Sequence, residues 1–458
     1  MITIRRTQPN ARRTRSGHAG ALGAAGARAA ARLSAASCAL ALLLAGCDPL
    51  EVDAPTVNLP EDFANAAGAE AMRAAAIRSF NSAISPEARF SGMLADEFIM
   101  GSSTQSGAER FLDRRLSEEA EEEVDRAGSA YERLHTARLE AARAIRQLRA
   151  YAPNTPPARI GQLFAFSGYA KLLLAEDYCP GMAFNEITPD HQLRYGRALT
   201  TDEMFELALA DLDTAVTLAA DSARILGLAR VGKARALLGL GRFAEAAEAA
   251  APVPTDYVFE IEHTTEAPSQ TNLLNFGTTR LRYSVADREG GNGLDFVSAG
   301  DPRVRVTARG RTFDNLNTGY SIDKYPTTTS PMVLASGIEA RLIEAEAALR
   351  ANDVTTWLGI LNTLRAEAIT PALPPLEDPG DERARVDLHF RERAFWLFAT
   401  GHRLGDLRRL IRHYGRTPDE VFPTGDHHHG GPYGTATSIP FPAESEGLNP
   451  NVTGCTER

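Results

Sequence analysis

The chain has 458 residues, which is enough for a large hydrophobic core, and its formal net charge at pH 7 is −10. An acidic surface repels the phosphate backbone of nucleic acids, so the composition argues against a nucleic-acid-binding protein. The length alone would allow two or three domains, but no Gly/Ser-rich or Pro-rich linker divides the chain.

The first 46 residues have the composition of a targeting segment. They contain seven Arg, neither Asp nor Glu, and a short apolar run near their end. A basic region, a short apolar core and small residues before a cut are typical of a secretory signal, and this run is too short to span a bilayer. The stretch Leu44-Ala45-Gly46-Cys47 matches a bacterial lipobox, so we expect Cys47 to be lipidated. The alternative is an ordinary signal peptide that happens to carry a Cys.

Removal of residues 1–46 takes away seven positive charges and changes the net charge from −10 to −17. Such a chain has little electrostatic attraction to anionic membranes, so the acyl group would hold it there.

Cys38 leaves with the signal and Cys47 is lipidated. Cys179 and Cys455 remain, in an exported protein whose thiols oxidise, and we predict a disulfide between them. Their spacing matches no zinc motif.

The mature chain begins with an extended tether, residues 47–60, which contains three Pro. Helical patterns then follow one another. One stripe at helical spacing runs from Tyr131 to Leu148 and ends at Pro153. Thr200 and Glu203 have the spacing of a capping box at the start of another helix. We therefore predict an all-α fold with one domain over residues 61–458.

Two helical pairs in the second half resemble tetratricopeptide repeats. The first runs from Ala229 to Pro254, and its small residues let two antiparallel helices approach while Phe243 fills the groove between them. The second runs from Ile338 to Ala368. Residues 255–332 lie between the pairs, lack a convincing helical stripe and carry many aromatic residues. We expect a long, irregular but ordered insertion there, on the opposite side from the pairs.

The most specific pattern is the stretch Arg391–Leu410, RERAFWLFATGHRLGDLRRL. It resembles the C-terminal signature of the SusD/RagB family, in which an RR-x-E-L helix, a Gly and an R-x-x-D-L-R-R helix follow one another. Three further stretches resemble that family in the same order along the chain. They are the helix GYAKLLLAED before Cys179, the segment KYP before the helix RLIEAE, and the tail IPFPAE before NPN. The tail departs from the family at Phe441, where an aliphatic residue is usual.

The resemblance implies an outer-membrane lipoprotein at the cell surface that caps a TonB-dependent, SusC-like transporter. Such a protein captures a nutrient for import, with a glycan as the favoured class, and it binds without catalysis or cofactor. The residues agree, because the sequence contains no nucleophile elbow, phosphate loop or zinc-enzyme motif. Two other function classes stay open. One is a helical-repeat lipoprotein that acts as an assembly scaffold, and the other is a secreted glycosidase with two catalytic carboxylates.

Sugar binding needs aromatic platforms with a few polar groups beside them. The candidates flank the loop after Cys179 or lie in the insertion, and they are Tyr178, Phe184, Tyr195, Tyr283, Phe296, Arg311 and Tyr320. For any single ring, anchoring its own loop is the simpler interpretation. Trp357 and Trp396 lie on predicted helices and are expected in the core.

The run from Asp426 to His429 is the one stretch that suggests a metal site. Adjacent His residues in a Gly-rich loop rarely point to one centre, and no Glu-x-x-His pattern accompanies them. The sequence therefore favours a solvated or partner-contacting loop, and no metal is expected.

Overall fold

The computed structural model describes residues 63–102, 107–117, 120–121, 129–190, 192–442 and 448–456. The signal, Cys47 and the tether lie outside the described residues, so lipidation of Cys47 stays a prediction. Residues 60–458 belong to one compact unit. In the part of the chain that is described, no helix combines the length and the apolar character that a membrane crossing requires.

The N-terminal half is helical and comprises α1 (Ala66–Leu94), α2 (Glu109–Leu112), α3 (Ala130–Tyr151), α4 (Pro157–Asp177), α5 (Thr201–Leu218), α6 (Ala223–Gly239) and α7 (Phe243–Ala250). Each of α3 to α6 packs against the long helix before it. The close approach of α4, α5 and α6 depends on Gly168 and Gly232. A Cβ at either position would lie 2.7 Å from a side-chain atom of Leu212 or Tyr169. The predicted capping box is present, since the Thr200 hydroxyl and the Glu203 carboxylate each accept the other residue's backbone N–H.

Short strands lie between the helices of the N-terminal half and in the insertion, which also contains one α-helix. The strands pair antiparallel in twos, β1 with β5, β2 with β3, β4 with β8 and β6 with β7. The elements are β1 (Phe98–Met100), β2 (Glu186–Ile187), β3 (Leu193–Arg194), β4 (Val258–Ile261), α8 (Leu273–Thr279), β5 (Tyr283–Val285), β6 (Val306–Arg311), β7 (Thr318–Ile322) and β8 (Met332–Ser336). The insertion is thus more regular than expected, because β8 at its C-terminal end pairs with β4, and β1, which lies far away in the N-terminal half, pairs with β5.

The C-terminal helices are α9 (Gly337–Arg350), α10 (Val354–Glu367), α11 (Glu382–Trp396), α12 (Arg403–Tyr414) and α13 (Pro418–Val421). The repeat-like pairs α6–α7 and α9–α10 are both present, and α9 packs on α6 and α7. Phe243, on α7, has ring contacts with α12. Its ring lies 5.9 Å from His413 and 6.2 Å from Tyr414, so it packs towards α12. Trp357 is buried in the core, and Trp396 is partly buried against it.

Buried ion pairs join α9, α11 and α12. The Arg393 guanidinium donates to Asp406 at 3.1 Å, and Arg409 donates to Glu346 at 2.7 Å and to Asp406 at 2.8 Å. Burial alone would raise the pKa of Asp406, but Arg393 and Arg409 lower it to about 2. These four residues are called the ion network below, and three of them, Arg393, Asp406 and Arg409, belong to the stretch Arg391–Leu410 that resembles the family signature. The charges of the ion network hold α9, α11 and α12 together.

The other stretches that resemble the family contact the stretch Arg391–Leu410 or one another. The Lys324 ammonium donates to the Phe398 carbonyl at 3.1 Å, and the Tyr325 hydroxyl donates to the Ala399 carbonyl at 2.8 Å. The tail lies beside the end of α4, where the Ile439 N–H donates to the Asp177 carbonyl at 2.8 Å. The four spaced patterns therefore form one packed assembly in the core.

Candidate functional site

The turn between β6 and β7 presents an exposed aromatic ring. Its residues, Thr312–Asn317, are closed by the Thr312 N–H, which donates to the Asn317 carbonyl at 3.0 Å. Asn315 takes the left-handed conformation with φ 63°. The Arg311 guanidinium donates to the carbonyls of Asn315 and Leu316 at 2.7 and 2.9 Å, so it braces the turn. The turn with its ring Phe313 is called the hairpin platform.

Main-chain hydrogen bonds fix the hairpin platform to the body of the protein. The Phe313 N–H donates to the Leu281 carbonyl at 3.2 Å, and the Asp314 N–H donates to the Gly101 carbonyl at 2.9 Å. The Phe313 side chain is nevertheless 73% exposed. An exposed ring on a braced turn loses little conformational freedom when a ligand stacks on it. Phe313 was not among the residues that the sequence predicted to bind sugar. Its position as the single aromatic residue in the polar run Thr312–Asn317 could have indicated an exposed ring on a turn.

A histidine turn lies against the hairpin platform. The Gly430 N–H donates to the His427 carbonyl at 2.8 Å, and this tight turn brings the rings of His427, His428 and His429 close together, with the planes of neighbouring rings tilted. The His429 Nε2 lies 2.6 Å from the Asp314 carboxylate of the hairpin platform. Asp314 is partly buried, but its hydrogen bonds from the Leu316 N–H and from His429 hold its pKa below the usual value.

These His side chains converge, against the expectation from sequence. Asp113, His427, His428 and His429 each offer one ligand atom, and these atoms lie within 4.8 Å of one another. The interpretation as a solvated loop assumed that adjacent side chains diverge. The turn at Gly430 instead folds the run back on itself against Asp113, which is distant in sequence.

A second concave surface is formed by the loop after Cys179. It is a cleft of about 360 Å³ between this loop and helices α3 to α5, lined by Phe184 and by the basic residues Arg138, Arg146, Lys171 and Arg197. The Phe184 side chain is only 9% exposed, because the Arg138 guanidinium lies 5.0 Å from its ring centre. Two of these charges are already paired, Lys171 with Asp211 and Arg197 with Glu203, and the aromatic ring of the cleft is covered.

Three of the predicted binding rings are buried and closed to a ligand in this structure. Tyr178 donates its hydroxyl to Glu87 at 2.9 Å, and Tyr283 donates its hydroxyl to the Leu273 carbonyl at 2.5 Å. Phe296 is buried in the core, with its ring centre 5.4 Å from that of Phe395 and the two ring planes tilted. The prediction that these three rings bind a ligand does not fit their burial in the core. The rings anchor their loops, as the simpler interpretation of each held.

The other predicted residues lie nearer the surface, but in two places. Tyr195 is 39% exposed and precedes the cleft residues Gly196 and Arg197. Tyr320 lies on β7 with its side chain half-buried against the core, and Arg311 braces the hairpin platform. The structure therefore places Phe184 and Tyr195 at or beside the cleft, and Arg311 and Tyr320 on the hairpin that carries the platform.

Two carboxylates, Glu87 and Asp177, meet beneath the Tyr178 hydroxyl. Burial raises the pKa of Glu87 to about 7, although the hydrogen bond from the Tyr178 hydroxyl opposes the rise. Burial also raises the pKa of Asp177 well above its usual value, with Glu87 as the next cause. Both side chains are closed to solvent, so a glycosidic bond could not reach them.

A disulfide joins Cys179 to Cys455, with the Cα atoms 5.5 Å apart. Backbone pairing supports it on both sides. The Cys179 N–H donates to the Ile439 carbonyl at 3.0 Å, and the Thr456 N–H donates to the Pro180 carbonyl at 2.9 Å. The bond fastens the C-terminal tail to the loop that forms one wall of the cleft.

Solved structures of other proteins share this architecture. A SusD superfamily protein from Bacteroides thetaiotaomicron VPI-5482 matches with a TM-score of 0.66 and 12% sequence identity, covering 86% of this chain and 100% of that one. The chain has the SusD-like fold. A SusD-like carbohydrate binding protein from Bacteroides vulgatus ATCC 8482 matches with a TM-score of 0.58 and 14% identity, covering 75% of this chain and 83% of that one.

The SusD-like fold is also that of surface glycan-binding protein A from Bacteroides thetaiotaomicron, solved in complex with laminarihexaose. Its TM-score is 0.60 at 13% identity, and the match covers 85% of this chain and 99% of that one. No protein-family model and no curated protein matches the sequence. The predicted mostly helical, SusD-like fold is confirmed, and at this identity the likeness extends to the fold.

Proposed function

We propose that this protein is a lipid-anchored protein of the outer membrane that captures a glycan at the cell surface. It passes the glycan to a partner TonB-dependent, SusC-like transporter and does not cleave it. The observation that carries the proposal is the SusD-like fold, shared over 85% of the chain with a surface glycan-binding protein. The lipobox at Cys47 and the four spaced sequence patterns support the anchor and the partner.

The hairpin platform is the proposed contact with the glycan. Sugar rings stack on aromatic faces, and such a contact needs an exposed ring with polar groups at its edge. Phe313 meets that need, whereas Phe184 in the cleft is covered by Arg138. The face of a ring carries no net charge, so the acidic composition of the protein is no obstacle to sugar binding.

Binding is favoured over catalysis by the placement of the acids. The buried pair Glu87 and Asp177 lies in the core and cannot protonate a sugar leaving group in solution. The scaffold alternative is less favoured, because a scaffold has no need of a braced, solvent-exposed ring such as Phe313.

Glycan binding is tested first with laminarihexaose and then with an array of immobilised oligosaccharides. We expect saturable binding to at least one glycan, and we expect Phe313→Ala to weaken it by roughly tenfold, as loss of one stacking ring costs about 1 kcal/mol or more. Tyr151→Ala, another exposed ring at the end of α3, is the matched control. If Tyr195→Ala weakens binding and Phe313→Ala does not, the glycan lies at the cleft instead.

The partner is tested by affinity purification from detergent-solubilised outer membranes of the source cells. A TonB-dependent barrel should co-purify with the wild-type protein. Cys47→Ala should remain unprocessed and should lose both the membrane and the partner. Recovery of the wild-type protein without any such barrel would contradict the transporter part of the proposal.

The glycosidase alternative is tested by analysis of the glycan after incubation. The proposal expects the bound oligosaccharide to be recovered at its original length. Released sugar that disappears on substitution of one carboxylate would move the protein to the enzyme class.

A further inference from the structure

Asp113 and the histidine turn form a group of potential metal ligands that the proposed function does not use. Asp113 and His427 are buried, and His428 and His429 are partly buried. One carboxylate oxygen of Asp113, Oδ1, is buried and has no hydrogen-bond partner among the residues that the structure describes. A buried carboxylate oxygen without a partner is costly unless a cation or a donor reaches it.

Hydrogen bonds determine which ring nitrogens of His428 and His429 carry a proton. The His428 Nε2 lies 2.9 Å from the Met100 carbonyl, and the His429 Nε2 lies 2.6 Å from the Asp314 carboxylate. A carbonyl and a carboxylate are acceptors, so each Nε2 is the N–H donor. Each Nδ1 is then left with its lone pair, which is the form of imidazole that binds a metal.

The hydrogen bonds of His427 also show which of its ring nitrogens carries the proton, and they give this residue a different role. Its Nδ1 accepts the His429 N–H at 3.1 Å, so its Nε2 carries the proton and donates to the Asp113 Oδ2 at 2.9 Å. His427 therefore orients the Asp113 carboxylate and leaves Oδ1 as the oxygen that lacks a partner. Each of the three candidate ligands is thus held by a partner of its own, as is usual for metal ligands.

We propose that Asp113 Oδ1, His428 Nδ1 and His429 Nδ1 bind one divalent transition-metal ion, Zn²⁺ by their ligand chemistry. Two imidazoles and one carboxylate suit Zn²⁺ and other late divalent metals, whereas Ca²⁺ and Mg²⁺ prefer oxygen ligands throughout. Three protein ligands leave a fourth tetrahedral position, which water takes. His427, Asp314 and the Met100 carbonyl position the ligands without touching the metal.

The metal would fasten three segments that are far apart in the chain. Asp113 follows α2, the two His ligands lie in the histidine turn, and Asp314 extends the link from His429 to the hairpin platform. A ligand that binds only the folded state stabilises it by mass action. The metal therefore stabilises the face that carries Phe313, and its binding is independent of whether a glycan is the nutrient.

The site is tested on the full, detergent-purified protein after removal of metals with a chelator. Titration with Zn²⁺ should show one saturable site and a rise in melting temperature, and Co²⁺ should give the visible absorption of a tetrahedral centre. Absence of a one-to-one complex, or an octahedral Co²⁺ spectrum only, would overturn the proposal without recourse to any variant.

Variants assign the ligands. We expect Asp113→Asn, His428→Ala and His429→Ala each to weaken Zn²⁺ binding more than about 100-fold, and His427→Gln and Asp314→Asn to weaken it about 10–100-fold. His413→Gln is the matched control, because His413 is a partly buried His on α12 that bonds to the Gly239 carbonyl. Unchanged Zn²⁺ affinity in the three ligand variants, measured on folded protein, would place the metal elsewhere and refute the assignment.

Discussion

The ion network and the hairpin platform differ in how deeply their side chains are buried and in what holds them in place. In the ion network, Arg393, Arg409, Glu346 and Asp406 are buried, and each charge faces an opposite charge within about 3 Å. On the hairpin platform, Phe313 is exposed and the turn is held mainly by backbone hydrogen bonds. Buried charges tolerate few substitutions, because each needs its partner. An exposed ring contributes almost nothing to folding and is open to a ligand.

The largest expected effect comes from breaking the ion network. Arg393→Ala leaves the buried Asp406 and Glu346 short of positive charge, and removal of one member of a buried pair typically costs about 3–5 kcal/mol. Urea unfolding measures the loss, with Arg242→Ala as the control. Arg242 forms an exposed pair with Glu245 and should change stability by no more than about 0.5 kcal/mol. Equal effects of the two substitutions would mean that burial does not distinguish the two pairs.

The disulfide ranks next. Cys179 and Cys455 are 276 residues apart, so the bond constrains a long loop in the unfolded chain. We expect the double substitution Cys179→Ser, Cys455→Ser to reduce the free energy of unfolding by about 2–4 kcal/mol. A reducing agent should destabilise the wild-type protein and leave the double variant unchanged. Two reactive thiols in denatured, non-reduced mature protein would show that the bond is absent in solution.

A smaller, pH-dependent effect is expected at Glu97, which is buried and accepts the Ala399 N–H. Burial raises its pKa from 4.5 to about 8. Between these values the folded state holds a proton that the unfolded state releases, so this group destabilises the fold progressively as pH rises. Glu97→Gln removes that dependence, and the variant should gain on the order of 2 kcal/mol on the wild type between pH 5 and pH 8.

Urea unfolding at several pH values measures the difference between wild type and variant. Glu248→Gln, on the exposed side of α7, is the control and should show the same pH dependence as the wild type. A difference between Glu97→Gln and the wild type that stays constant from pH 5 to pH 8 would mean that the carboxyl is ionised throughout.

The contrast between the two regions explains what could be predicted from sequence. The charges of the ion network lie on helices at fixed spacing, so their pattern indicated the fold, and the Thr200 capping box was visible for the same reason. The sequence could not distinguish exposed aromatic rings from buried ones. The burial of Tyr283 and Phe296 depends on β1 and α11, which lie far away in the chain. The convergence of His428 and His429 on Asp113 likewise depends on a fold-back that no local pattern showed.

The smallest expected effect on stability, and the sharpest test of the contrast, is at Phe313. Its ring is 73% exposed, so Phe313→Ala should change the free energy of unfolding by no more than about 0.5 kcal/mol. The same substitution should weaken glycan binding roughly tenfold, because a stacking face is lost while the backbone of the turn stays in place. Asp314→Asn tests the support of the ring separately from the ring itself. This substitution disturbs the hydrogen bond to His429 and leaves Phe313 present. A loss of stability in Phe313→Ala comparable to that in Arg393→Ala would mean that the ring is part of the core, and the hairpin platform would no longer stand as the glycan contact.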